Sequence, residues 1–509
     1  MAEQERKGNE KQACLTINGR AICAEIGTTV SEAIHGERPC GGHGRCGKCK
    51  VKVRGALTPI DEAEAALLSF AELEAGIRLG CRARVLGDCA VELPNGSDGA
   101  EIVTEGDLPA FSLNPAFSSY GVAVDIGTTT LAARLYGADG VLLSETACLN
   151  PQREWGADVI SRVEAALGGK AKELARATRE ALDEIVRTLT GAAGIESRAV
   201  DGLVLTGNTV MLSLLAEADV SPFACAPFAA KRLFGETTTA GALGLASLMP
   251  DTHVYLAPCI SAFVGADTTC ALLATELCKN KTAMLLDIGT NGEMALWQDG
   301  CLTVASTAAG PAFEGVGISA GMRSEAGAID RVTVERGRLS AHVIGEGIPV
   351  GICGSGLVDA VAGLLRLEIL DETGYLCHAP FPIARPVFLT QEDVRMLQLA
   401  KSAICAGVRT LLAERNLTCE DVPVLYVAGG FGKHLDRENA AKIGLLPEGL
   451  AVRAGTVGNA ALGGACILLL NREAREPAET IAKSAKTIAL SASTAFSKAF
   501  MAGMLLKPV

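Results

Sequence analysis

The chain has 509 residues, too many for one hydrophobic core, so two to four domains of roughly 100–200 residues each are expected. A net charge of -12 argues against a polyanionic partner such as nucleic acid, because neutralising phosphates needs clustered Lys and Arg, and two Trp with five Tyr leave little for base stacking. The polar opening MAEQERKGNEKQ and the lack of an apolar run near the roughly 20 residues that span a bilayer argue against export and a membrane partner, so a cytoplasmic protein is expected. Most of the 18 Cys stand singly in apolar segments, as Cys259, Cys270 and Cys466 do, where a small thiol packs well.

Residues 13–25 read as two short strands joined at Asn18-Gly19, a pair suited to a tight hairpin turn, and a short helix follows from about Thr28 to His35. Cys14, Cys23 and Cys89 fall on strand-like stretches and are expected to be packing residues. Cys40, Cys46 and Cys49 share one loop and Cys81 stands beyond it, a C-x5-C-x2-C-x31-C spacing close to the plant-type ferredoxin pattern. Four glycines in that loop permit the backbone angles needed to wrap an inorganic cluster, and Arg45 offers it positive charge. Three Cys in ten positions among glycines do not resemble a core. Zinc is the better competitor, since it also takes four thiolates, but it favours paired C-x2-C knuckles and Cys81 has no such mate. His43 reads as a solvent-facing loop residue rather than one that tunes a potential.

Residues 13–95 resemble the adrenodoxin and plant ferredoxin fold, a β-grasp sheet. The resemblance implies a one-electron [2Fe-2S] cluster on Cys40, Cys46, Cys49 and Cys81. From Asn95 to Ser119 the chain is rich in Gly, Pro, Ser and acid without periodicity, and reads as a tether that lets the small domain move.

After it comes an apolar strand ending in Asp125-Ile-Gly127-Thr128-Thr129, followed by a second strand at 131–136. The device returns as Asp287-Ile-Gly289-Thr290-Asn291-Gly292-Glu293, which implies two similar halves. A glycine at each turn admits phosphate oxygens to backbone N–H groups, and the Thr hydroxyls add donors. An aspartate at each strand end suits a hydrated Mg2+ ion bridging those phosphates. One such hairpin alone is weak evidence, since it can be only a tight turn; two at the start of two halves are much harder to dismiss. A third strand ends in Gly429-Gly430-Phe431, where a purine and ribose can lie on bare backbone. Thr206–Thr209 and Gly458–Ala465 read as small-residue helix contacts, that is, hinge packing.

Residues 120 to about 470 resemble the superfamily of acetate kinase, sugar kinases, heat-shock ATPases and actin, with its five motifs in order. The resemblance implies α/β architecture, two RNase-H-like halves and ATP in the cleft between them. It carries Asp125, Gly127, Thr128 and Thr129 onto the first phosphate loop and Asp287, Gly289, Thr290 and Asn291 onto the second. Gly429, Gly430 and Phe431 then touch adenosine, while Glu293 is either the group that positions the attacking water or a strand-edge carboxylate. The expected organisation is an α+β ferredoxin-like domain over 12–96, a linker over 97–119, and actin-like ATPase halves over 120–280 and 281–509.

The whole chain resembles the reductive activators of corrinoid proteins, through Asn150-Pro-Gln, Gly156-Ala-Asp158, Ala309–Gly315, Gly351–Gly356 and Gln398–Lys401. That resemblance implies ATP-dependent, one-electron reduction of a corrinoid from Co(II) to Co(I), a low-potential electron donor, a corrinoid protein of a methyltransferase system as partner, and a homodimer. Larger relatives carry a further domain where this chain has only its linker. The competing expectations are a small-metabolite kinase, or a regulatory ATPase, whose ferredoxin domain senses redox state. An activator of a 2-hydroxyacyl-CoA dehydratase shares the ATPase fold but lacks an N-terminal ferredoxin.

Overall fold

A computed structural model describes residues 12–17, 20–34, 38, 41–45, 47, 49–92, 108–431 and 434–509. The Asn18-Gly19 turn, His35, Cys40, Cys46 and the first part of the expected linker lie outside these residues. The chain divides into two compact units, one of residues 1–98, 149–181 and 214–228, the other of 99–148, 182–213 and 229–509.

In the smaller unit, β1 (Gln12–Ile17), β2 (Arg20–Glu25), β3 (Lys50–Leu57), β4 (Ile77–Leu79) and β5 (Val85–Glu92) form one mixed sheet in the order β2-β1-β5-β3-β4, with β1 and β5 parallel. Strand alternation sends Ala13 and Leu15 into its core with Val51, Val53, Val85 and Val91. The same alternation turns Cys14 outward, and Cys23, its direct partner on β2, is exposed with it. Those two are therefore not the packing residues the strand pattern suggested, whereas Cys89 is buried. The short helix is Val30–Ala33, started by a capping box between Thr29 and Glu32.

The larger unit contains two six-stranded sheets built alike. Strands β6 (Tyr120–Ile126), β7 (Thr130–Gly137), β8 (Leu142–Leu149), β9 (Val200–Gly207), β10 (Glu236–Thr239) and β11 (His253–Leu256) run in the order β10-β11-β9-β6-β7-β8. The second half begins with β12 (Thr282–Ile288), β13 (Gly292–Gln298) and β14 (Cys301–Thr307). Strands β15 (Ala328–Glu335), β16 (Arg338–Val343) and β17 (Gly351–Ile352) form a small sheet, and β18 (Phe381–Ala384) pairs with β19 (Val387–Leu389). Strands β20 (Leu425–Ala428), β21 (Ala454–Thr456) and β22 (Lys486–Thr487) complete the order β21-β20-β12-β13-β14-β22. In each sheet an antiparallel hairpin, β6–β7 or β12–β13, carries two parallel strands beside its first strand, β9 and β11 or β20 and β21.

Strands β6 and β12 are almost wholly buried, as expected of parallel-sheet centres covered on both faces. Helices Ala266–Ala274 and Ala460–Leu470 pack backbone to backbone: a Cβ on Gly464 would collide with the Cys270 carbonyl. The stretch expected to be a tether is anchored at its end, where Asn114 and Ala116 donate to the Leu470 and Leu469 carbonyls and Phe117 is buried. Among the described residues one helix, Gln391–Glu414, is long and apolar enough to cross a membrane, and most of it is buried inside the fold. Its Gln398, Lys401 and Ser402 donate to the Met504, Leu505 and Phe500 carbonyls and so hold the C-terminal tail.

Candidate functional site

Hairpin registers place the acidic residues. Asp125 stands one residue before the end of β6, opposite Ala132 on β7 and Thr206 on β9; Asp287 holds the matching place on β12, opposite Glu293 on β13 and Ala428 on β20. Every residue named above for the phosphate loops and the adenosine segment, with Glu293, lines one cleft of about 260 Å³. Gly429 sits there at φ +91°, and a Cβ on it would lie 2.8 Å from Asp287 Oδ1, so a side chain would crowd the carboxylate. Phe431 packs on Phe313 with ring centroids 4.6 Å apart.

The cleft is rich in carboxylates that resist ionising. Desolvation, reinforced by the charge of Asp267, pushes Asp125 and Asp287 up to about 7. Desolvation likewise pushes Asp267 up to about 6, and carries Glu293 well above the usual carboxylate range with help from Asp267 and Asp287. Among the described residues no three acidic, His or Cys side chains converge closely enough to hold a bare metal ion, so what the hard oxygens on the two strand ends fit is a hydrated Mg2+ ion carried by a nucleotide. The hydroxyls and N–H groups of the two loops supply donors for phosphate oxygens.

Four cleft residues escaped the sequence pattern. Asn208 Nδ2 donates to Thr128 Oγ1 at 3.0 Å, and Asn459 Nδ2 donates to Asp125 Oδ2 at 3.1 Å. Each asparagine also uses its Oδ1 to accept the first N–H groups of a helix, from Met211 and Leu462. The segments read as hinge packing thus put side chains into the cleft, and the twice-used Gly-Asn pair, at 207–208 and 458–459, was the available signal. Asp267 and Glu314 also line the cleft, and Glu314 accepts from Thr129 Oγ1 at 2.5 Å and from Thr290 Oγ1 at 2.7 Å.

In the smaller unit, Cys49 and Cys81 meet with their sulfurs 3.2 Å apart. Two thiolates on one tetrahedral metal with bonds of about 2.3 Å would stand ~3.8 Å apart, so this pair fits a shared metal after a small adjustment. Contact with the Cys81 thiol is the main cause holding Cys49 down to about 6. Gly41, Gly42, Gly44 and Gly47 all adopt positive φ, the conformation that lets the loop fold back on itself. Arg38 secures the loop's approach: its Nε donates to the Glu154 carbonyl at 2.9 Å, and its Nη2 and Nη1 reach Glu154 Oε1 at 3.1 Å and Glu32 Oε1 at 3.0 Å.

Residues 281–508 match the family described as the C-terminal domain of RACo, the ASKHA domain, and residues 120–280 match the RACo middle region. The corrinoid activation enzyme RamQ of Eubacterium limosum is 35% identical over 420 residues, which span 75% of this chain and 69% of that protein. This chain belongs to the RACo family. Among other RACo relatives, the Co(II) methylated amine-specific corrinoid protein reductase of Methanosarcina barkeri is 27% identical over 72% of each chain. The solved structure of a reductive activator for corrinoid,iron-sulfur protein superimposes with a TM-score of 0.72 at 27% identity, covering 97% of this chain and 98% of that one. Both carboxylate-bearing loops of this RACo chain fall inside the matched regions, Asp125 in the middle region and Asp287 in the ASKHA domain.

Proposed function

We propose that this protein uses ATP to drive one-electron reduction of a corrinoid protein, from inactive Co(II) to Co(I), within a methyltransferase system. The observation that carries it is the pairing, in one RACo-family chain, of a two-loop carboxylate cleft with a glycine-wrapped thiol pair at Cys49 and Cys81. Cys40, Cys46, Cys49 and Cys81 are the proposed ligands of a [2Fe-2S] cluster, which when bound supplies one low-potential electron. A low-potential donor would supply that electron. The chain is proposed to act as a homodimer.

The residues of the cleft divide the work of holding a nucleotide. Asp125 and Asp287 carry the charge that Mg2+ would meet, Thr128, Thr129, Thr290 and Asn291 offer donors to phosphate oxygens, and Gly127 and Gly289 keep the turns open. Gly429, Gly430 and Phe431 receive the adenosine. Glu293, on the strand facing Asp287, is placed to orient a water, and its raised proton affinity suits it to take a proton from that water. Nucleotide binding favours one conformation of the complex by its differential affinity, and only that difference can lift an electron uphill.

The test mixes the reconstituted protein, Mg2+, ATP and a low-potential donor with a cob(II)alamin-bearing corrinoid protein under anaerobic conditions. The Co(I) absorption band appears with ATP and not without it. No Co(I) with any corrinoid protein encoded nearby, while ATP is hydrolysed, would remove the proposal.

A further inference from the structure

Glu314 closes a one-turn helix, Pro311–Glu314, between Gly310 and Gly315, both at positive φ. Its two carboxylate oxygens are spent on different halves of the larger unit: Oε2 accepts from Thr129 Oγ1 of the first loop at 2.5 Å, and Oε1 from Thr290 Oγ1 of the second at 2.7 Å. A carboxylate offers those hydroxyls what a phosphate would, an anionic pair of acceptor-only oxygens. Each hydroxyl has one proton, so each threonine serves either Glu314 or a nucleotide.

The backbone around Glu314 is fixed, whereas its carboxylate is held by the two threonines at the end of a side chain with rotatable bonds. Phe313 is buried against Phe431, and a Cβ on Gly315 would run into the Met322 backbone. Release of the threonines therefore falls to rotation of the Glu314 side chain. Four other carboxylates, Asp125, Asp267, Asp287 and Glu293, share the cleft, so an incoming polyanion cannot take the two hydroxyls with Glu314 still beside them.

Which phosphate competes follows from topology. The adenosine segment continues β20, the parallel neighbour of β12, and so stands beside the second loop. Glu314 spans from Thr290 of the second loop to Thr129 of the first, so a nucleotide anchored beside the second loop would meet Thr129 with the end of its phosphate chain. Resting on the nucleotide function proposed above, we infer that Glu314 is an internal stand-in for the terminal phosphate: it ties the two loops together in the empty cleft and gives up both threonines when ATP enters. The consequence is selectivity, because a triphosphate has to displace Glu314 and a diphosphate does so less.

The test is calorimetric titration of the full chain with Mg2+ and either a non-hydrolysable ATP analogue or ADP, for wild type, Glu314→Gln and Glu314→Ala. If Glu314 occupies the threonines in nine molecules of ten, the analogue binds about tenfold more tightly to Glu314→Ala, with Glu314→Gln between the two, while ADP changes by less than about threefold. Analogue affinity that is unchanged or weaker in both variants, or a rise shared equally by ADP, overturns the inference while leaving the ATP function standing. Wild-type protein that binds neither nucleotide removes that function and the inference with it. Glu314→Gln preserves the side-chain shape, so a folding defect in Glu314→Ala does not leave the question open.

Discussion

In the cysteine loop, contact with Cys81 holds the Cys49 thiol down to about 6, toward the thiolate, whereas in the cleft desolvation pushes Asp125 and Asp287 up to about 7, away from the carboxylate. The thiol pair is held together by two neighbouring strands, Cys49 standing just before β3 and Cys81 just after β4. The carboxylates are gathered from β6, β12, β13 and the helix at Ala266, and their burial makes them unfavourable to ionise with no cation beside them. One site is thus held by local geometry and the other is poised by its misfit, which is the property needed where binding must change a conformation.

The comparison breaks most visibly if the two sites fail to separate. Cys81→Ser should reduce iron and sulfide content to background and abolish corrinoid reduction, while calorimetry finds the ATP affinity within about twofold of wild type, since the cleft is lined by other residues. Asp287→Asn should do the reverse, lowering ATP hydrolysis by about 100-fold or more with the visible spectrum of the cluster unchanged. The same variant sharpens the point about misfit, because it removes a desolvated carboxylate: the nucleotide-free protein should melt about 2–5 °C higher at pH 7. A lower melting temperature would show that Asp287 is not strained in the empty cleft.

A smaller effect is the pH dependence. The native cleft holds protons that the unfolded chain has already lost, between the ordinary carboxylate range near 4 and about 7. Native protein binding more protons means that stability of the nucleotide-free form falls as pH rises through that window, and levels off above it. Magnesium nucleotide needs the deprotonated carboxylates, so its affinity should rise between pH 6 and pH 8 by about tenfold in all for each carboxylate that must lose its proton, steeply below about 7 and levelling off above it. Titrations at four pH values with a non-hydrolysable analogue decide it; a flat profile contradicts the raised carboxylates. The smallest effect belongs to the loop support: Arg38→Met removes a partly buried ion pair with Glu154 and should cost about 1–2 kcal/mol of stability, read by denaturant unfolding, with cleft affinities unaltered.

What the sequence disclosed follows the same division. The cysteine loop and the two Asp-Ile-Gly-Thr hairpins were legible because each is a local device whose residue types and spacing state their own chemistry. Asp267, Glu314, Asn208 and Asn459 were not, because they arrive from segments that only the sheet order brings to β6 and β12, and a lone Asp or Asn at the start of a helix looks like any capping or first-turn residue. Cys14 and Cys23 were misjudged although the alternation of Ala13 and Leu15 carried the answer: residues out of phase with the apolar positions face solvent. Anchoring of residues 114–117 was invisible to composition, since Asn, Pro and Ala give no sign that backbone bonds to Leu469 and Leu470 await them.

The most direct measurement starts from protein reduced by one electron, freed of donor, and mixed anaerobically with cob(II)alamin-bearing corrinoid protein while the paramagnetic signal of the reduced cluster and the Co(I) absorption are followed together. With Mg2+ and ATP present, Co(I) should grow as the cluster signal decays, one for one, and without nucleotide neither should move. Equal Co(I) formation in the absence of ATP, or ATP consumed while the reduced signal persists, would contradict the coupling of the two sites.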